Sequence, residues 1–217
     1  MGLIYPQIYE RLLSSFGSQG WWPADSKFEI MIGAILTQNT AWSNVVKALD
    51  NIKKADGLSL DFLRDIESGS LAELIRPAGY FNQKTRYLKD FIRFLTEQCG
   101  GDLDKLFLLD IDVLRNALLS VRGIGPETAD DIILYAAEKP IFVIDAYTKR
   151  IMSRHLICNP DIGYEELQQI IECEVPKDVE IFKDYHGLLV TLAKKNCFKK
   201  NPDCGSCPLN IYERSIT

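Results

Sequence analysis

Apolar residues recur along this chain at the three-and-four spacing of a helix, one segment after another. Phe28–Leu36 carries that period, with Asp25 and Ser26 ahead of it as candidate caps. Ser43–Ile52 repeats it through Val45, Val46 and Leu49. The same pattern predicts helices over Leu60–Ile66, Leu71–Ile75, Gln83–Gln98, Leu103–Leu108, Asp112–Ser120, Pro126–Ala137, Asp145–His155, Tyr164–Glu172 and Val179–Asn196. Between them stand the breakers Gly57, Pro77-Ala78-Gly79, Gly100-Gly101 and Asn159-Pro160. Ile141–Ile144 has the composition of a strand but is short and isolated. There is no heptad seam, internal repeat or low-complexity linker, so the expected class is all-α.

Composition narrows the class little. The 217 residues are 47% hydrophobic and 25% charged, which is ordinary for a globular chain with a substantial core. No charged leader precedes an apolar stretch at the Met1 end, and no apolar run approaches a membrane span. The expectation is a soluble, cytoplasmic protein. The formal charge of −5 argues against broad electrostatic capture of nucleic acid. Binding is local, however. Lys194, Lys195, Lys199 and Lys200 crowd one stretch, and Lys149, Arg150 and Arg154 another; their plain reading is solvated helix ends.

Six cysteines divide into two sets. Cys99, Cys158 and Cys173 are scattered and read as buried thiols. Cys197, Cys204 and Cys207 are spaced C-x6-C-x2-C, which points to metal chemistry rather than disulfides.

The densest signal is Val121–Leu134, "VRGIGPETADDIIL". Ser120 ends one helix and Pro126 suits the first turn of the next, since proline has no amide to leave unsatisfied there. Gly123 and Gly125 can both take positive φ, and Gly125 suits a cap. A tight hairpin between two helices results, over about residues 112–137. Its exposed amides and the positive end of the second helix favour an anion, a DNA phosphate included, without demanding net positive charge. Arg122 at the tip can add a charged contact. An αα-hairpin with no ligand fits the two glycines equally well.

"VRGIGPETA" resembles the helix–hairpin–helix signature of the endonuclease III superfamily of DNA glycosylases. "ILTQNTAW" (Ile35–Trp42) resembles that family's segment whose glutamine enters the gap left by a flipped nucleotide. "GYFNQKTRYL" (Gly79–Leu88) resembles the helix start that follows. "VIDAYTKRI" (Val143–Ile151) falls where the family places its catalytic aspartate, and the C-terminal cysteines resemble its iron–sulfur loop. The matches run from about Trp21 to Cys207. "WWPADSKF", Trp42 and the Asp145–Tyr147 "D-x-Y" resemble the 3-methyladenine branch in particular.

The resemblance implies a two-lobed helical fold with a central DNA-binding cleft. Residues 25–136 form one lobe, and 1–24 with 137–217 form the other, carrying the cysteine loop 197–207. It implies a monomer that binds double-stranded DNA at a damaged base and no membrane. Asp145 is implied as the catalytic carboxylate, although an Asp there is also an ordinary N-cap, and both readings can hold. Trp21, Trp22, Pro23 and Trp42 are implied as the base pocket and Gln38 as the wedge. Arg122, Gly123, Gly125, Lys199 and Lys200 are the expected DNA contacts. The family's lyase lysine aligns with Glu127, which cannot form a Schiff base, so a monofunctional glycosylase is expected. Glu127 is also an ordinary acid for a first helical turn.

Two histidines, His155 and His186, match no catalytic or metal spacing and read as structural. With few proton donors, a base already cationic suits the site, and tryptophan faces favour cations. An alkylated purine of the 3-methyladenine type is therefore the expected substrate. The rivals are uracil, mismatched thymine or an oxidised base, and a non-catalytic DNA-binding module. The resemblance also implies a [4Fe–4S] cluster on Cys197, Cys204 and Cys207, but Glu213 occupies the place of the fourth cysteine. Another fourth ligand, another cluster or zinc, or a bare loop all remain open.

Overall fold

The computed structural model describes residues 4–215; residues 1–3 and 216–217, at the ends of one expected lobe, lie outside the described residues. Every regular element among the described residues is helical. Ala24–Lys139 form one compact unit, and the segment up to Pro23 together with everything from Pro140 onward forms a second.

The first of these units is built on α2 (Lys27–Leu36), α3 (Trp42–Asp56), α4 (Leu60–Asp65), α5 (Ser68–Leu74), a 3-10 turn (Arg76–Ala78), α6 (Phe81–Cys99), α7 (Leu103–Phe107), α8 (Ile111–Leu119) and α9 (Pro126–Asp131). α9 runs on into a π-helical turn, Ile132–Ala136. α2 is buried from Met31 to Leu36 and packs against that turn and α6, so it forms the centre of the unit. Ser26 starts it, accepting from the Glu29 amide at 3.1 Å, while Glu29 accepts from the Asp25 amide at 3.0 Å. α6 is amphipathic: Leu88, Phe91, Ile92 and Leu95 share its buried face, each contributing about 1.5–3 kcal/mol of burial. Gly100 ends it at φ 62°, a left-handed cap.

The second unit comprises α1 (Ile4–Phe16), α10 (Ala146–Arg154), α11 (Tyr164–Glu174) and α12 (Val179–Lys195). α12 is its core helix, burying Phe182, Tyr185, Leu188, Leu189 and Leu192 against α1 and α10. Asp178 caps it through the Glu180 and Ile181 amides. α1 was not expected, although Tyr5, Ile8 and Leu12 lie on one buried face; Pro6, in its first turn, needs no amide partner there.

Ile141–Ile144 corrects the strand reading. The run is extended and buried but pairs with no strand. Side chains of α11 take its backbone groups instead: the Phe142 amide donates to Glu172 (2.7 Å), Gln168 donates to the Phe142 carbonyl (2.6 Å), and the Ile144 amide donates to the Tyr164 hydroxyl (3.3 Å). Buried backbone must be paired, and here a helix supplies the partners a sheet would.

Candidate active site

The hairpin joins α8 to α9 as its sequence predicts, with Ser120 capping one helix and Gly125 the other. Its two glycines, both able to take positive φ, differ in what the fold asks of them. Gly123 has φ +87°, and a Cβ there would lie 2.2 Å from the Tyr87 ring. Gly125 has φ −95°, which any residue can adopt, and a Cβ there would meet nothing. A bidentate ion pair clamps the two helices: Arg115 Nε and Nη2 donate to the fully buried Asp130 at 2.7 and 3.3 Å. Arg122, Gly125 and Glu127 are exposed around the tip.

Gln38 reaches this hairpin. Its side-chain amide donates to the Gly123 carbonyl and to the Thr128 hydroxyl, both at 2.9 Å. The expected wedge is thus engaged within its own unit, and the exposed residue of its turn is Asn39, in left-handed conformation at φ 53°. Lys84, which the sequence reading passed over, is buried beneath this turn. It donates to the Leu36 and Ala78 carbonyls at 2.8 Å each, joining the end of α2 to the 3-10 turn. Burial lowers its pKa to about 8. Tyr80, just past that turn, is 69% exposed at φ 45°, an unusual conformation for a bulky residue. Trp42 is half-buried at the first turn of α3.

In the other unit, Asp145 is the N-cap of α10, and its Oδ1 accepts from the Thr148 amide at 2.6 Å. Oδ2 faces His186 Nε2 on α12 at 3.6 Å. Burial alone would raise this carboxyl's pKa; His186 and the Thr148 amide outweigh burial and hold it below the ordinary carboxylate value, so it is ionised at neutral pH. Its side chain remains 12% exposed, leaving an edge accessible. His186, which the sequence offers only as a structural histidine, is thus the neighbour of Asp145. Nothing in the sequence marks it, because the pairing is made by helix packing.

The next residue, Gly187, lets the segment before Pro23 lie directly on α12. A Cβ at Gly187 would come within 3.0 Å of Trp21 Cβ. Ser18 and the Gln19 amide donate to Asp184 at 2.8 and 2.9 Å, and Thr191 donates to the Gln19 side chain at 2.7 Å. Trp21 and Trp22 follow, half-buried, their rings 6.0 Å apart and tilted by 58°. Pro23 is exposed. Lys194 lies 5.4 Å from the Trp21 ring centroid, and Lys195 lies 5.0 Å from that of Phe16, so these two lysines cover aromatic rings rather than forming a bare charged end.

The cysteine loop follows α12. Cys197, Cys204 and Cys207 line one small pocket, together with Arg154, His155 and Arg214. Glu213 is exposed, and its backbone carbonyl meets His155 Nδ1 at 3.2 Å. Among the described residues, no group of three or more His, Cys, Asp or Glu side chains is arranged to hold a single metal ion. Of the four positions that the resemblance implies for a cluster, Cys197, Cys204 and Cys207 carry thiols and Glu213 does not. The loop backbone is held by protein: Arg150 donates twice to the Cys197 carbonyl (3.1 and 2.9 Å), and Arg154 donates to the carbonyls of Phe198 (2.6 Å) and Lys199 (2.9 Å) and to Cys197 Sγ (3.3 Å). The Lys199 and Lys200 side chains are exposed. Of the scattered cysteines only Cys99 is buried; Cys158 is half-buried and Cys173 exposed, a further correction.

Comparison with known proteins fits these features. Residues 32–177 match the model of the HhH-GPD superfamily base excision DNA repair protein. A Methanocaldococcus jannaschii protein, MJ1434, whose name proposes a DNA repair glycosylase, is 45% identical over 97% of this chain and 95% of its own. The Helicobacter pylori 3-methyladenine DNA glycosylase MagIII, solved with 1,N6-ethenoadenine, superimposes with a TM-score of 0.77 at 28% identity, over 88% of this chain and 97% of that one. Endonuclease III in a non-covalent DNA complex has the same fold, with a TM-score of 0.83 at 20% identity over 97% and 95% of the two chains. No helix among the described residues is long and apolar enough to cross a membrane.

Proposed function

We propose that this chain, which belongs to the HhH-GPD superfamily of base excision DNA repair proteins and is a DNA glycosylase, removes an alkylated purine of the 3-methyladenine type from double-stranded DNA by hydrolysis alone. The observation that carries the reading is Asp145, held ionised at the start of α10 with an accessible edge. Cleavage of an N-glycosidic bond builds positive charge on the deoxyribose, and a carboxylate beside C1′ stabilises it. The C1′–N bond breaks with its electron pair leaving on the base. Water oxygen bonds to C1′, and its proton passes to Asp145. An N-alkylated purine is cationic in DNA and departs neutral, so no proton donor to the base is required.

Trp21, Trp22 and Pro23 are assigned to hold the extruded base, with Trp42 as a further aromatic contact. Lys194 already lies on one face of Trp21, so a cationic base would use the other aromatic surfaces. The hairpin amides at Gly123 and Gly125, with Arg122, bind backbone phosphate, as do Lys199 and Lys200. The turn carrying Gln38 enters the gap in the duplex; to contact DNA, Gln38 exchanges its bonds to Gly123 and Thr128. Glu127 offers no amine, which supports a monofunctional reaction. Cys197, Cys204 and Cys207 would ligate a [4Fe–4S] cluster, and hydrolysis of the glycosidic bond needs no redox step from it. The enzyme is assigned to act as a monomer.

The test is base release from duplexes carrying N-methylated purine, uracil opposite guanine, thymine opposite guanine, or an oxidised guanine, with one protein preparation. Release from the methylated duplex, without strand scission, is expected. Release confined to any other duplex overturns the substrate assignment.

A further inference from the structure

We infer that His186 is a positioning residue for Asp145: its imidazole donates from Nε2 to Oδ2 and keeps the carboxylate aimed. The inference rests on the proposed role of Asp145 and adds to it a residue from a distant part of the chain.

The geometry comes first. Asp145 is a buried carboxylate with two oxygens to satisfy, and a buried charge is costly unless hydrogen-bonded. Local structure serves one of them, since capping α10 places the Thr148 amide 2.6 Å from Oδ1. A cap alone leaves Oδ2 without a fixed donor. α12 supplies it, bringing the equally buried His186 to 3.6 Å. That separation is about half an ångström beyond a good N–H···O bond, and catalytic contacts of this kind tighten when substrate is bound. Once that contact closes to hydrogen-bonding distance, each oxygen has a donor and the carboxylate plane is set by two helices.

The carboxylate serves the reaction by opposing positive charge on the sugar, so the direction in which it is held matters. The same turn of α12 also seats the aromatic segment, because Gly187 is the residue against which Trp21 packs. The carboxylate and a pocket tryptophan are therefore placed by consecutive residues of one helix.

Three variants and one spectrum test this. On duplex DNA methylated at purine nitrogens, with enzyme in excess, His186→Leu is expected to slow base release about 100-fold, the scale of a misplaced reacting group. Its affinity for a duplex carrying an abasic site should stay within about twofold of wild type, as expected of a group acting on chemistry rather than binding. His186→Gln, which retains an N–H donor, should recover at least about tenfold of the loss. Wild-type release by His186→Leu, or equal slowing by Leu and Gln, overturns the inference. Should His186→Leu fail to fold, the wild-type protein still decides. With only two histidines, imidazole ¹⁵N spectra are readily assigned, using His186→Gln for identification. A ring carrying hydrogen on Nε2 is expected; a ring with its hydrogen on Nδ1 alone overturns the inference. Asp145→Asn separates the levels. If it still releases base, the proposed mechanism itself fails and His186 loses its role with it. If it does not, while His186→Leu does, only the inference fails.

Discussion

At the scale of single residues, the two hairpin glycines separate folding from binding. Gly123 is required by the protein itself, because its φ of +87° and the Tyr87 ring exclude a side chain. Gly125 meets no such demand, so any need for it comes from a ligand approaching the backbone. Gly123→Ala should therefore lower the melting temperature by several degrees, consistent with about 1–3 kcal/mol of backbone strain before any clash with Tyr87 is counted. Gly125→Ala should melt within about two degrees of wild type yet bind an abasic-site duplex at least about fivefold more weakly. Calorimetry and fluorescence anisotropy on the same preparations check both; matching losses in both variants would remove the distinction. The "G-I-G" string shows a hairpin but not which glycine the fold consumes, since that depends on Tyr87, which α6 supplies. Asp145 was legible from its place after the hairpin. His186 was not, because only the packing of α12 on α10 joins them. Gln38 was legible as a residue of interest, but its bonds to Gly123 and Thr128 appear only when α2 meets the hairpin.

Among the elements, α10 does two jobs at its two ends. Its first turn holds Asp145, and Arg150 and Arg154 farther along hold the cysteine loop by its carbonyls. Arginine does much of the holding of that loop, a role the cysteine spacing gives no sign of. Arg154→Ala should accordingly loosen residues 197–207, read as at least about tenfold faster amide exchange there, with α12 protection unchanged. Cys204→Ser, which removes a thiol and no arginine, should leave exchange in the loop within about threefold of wild type. The reverse ranking would show that the thiols, and what they bind, hold the loop. Helix periods made most elements readable to within a few residues. Ile141–Ile144 was the exception, because a short apolar run looks the same whether its backbone bonds go to a strand or, as here, to side chains of α11. α1 needed no signal beyond its apolar spacing, which the early Pro6 obscures.

For the whole molecule, an acidic chain that acts on DNA is no contradiction. A formal charge of −5 is a sum over the surface, whereas the proposed contacts, hairpin amides and a few exposed cations, are local to particular phosphates. The helical class, the hairpin and the resemblance to endonuclease III could all be read from the chain. The lesion could not be, because selectivity depends on how aromatic faces and charges are arranged, and Lys194 on Trp21 shows that arrangement to be more crowded than the adjacent pair Trp21-Trp22 suggests in the sequence. The account rests on Asp145 as the ionised group beside the sugar. Its most direct test is single-turnover release of base by Asp145→Asn from N-methylated duplex DNA, with affinity for an abasic-site duplex measured alongside. Release slowed by at least about 1,000-fold with affinity preserved within about threefold is the predicted result. Release at a rate near wild type would contradict it.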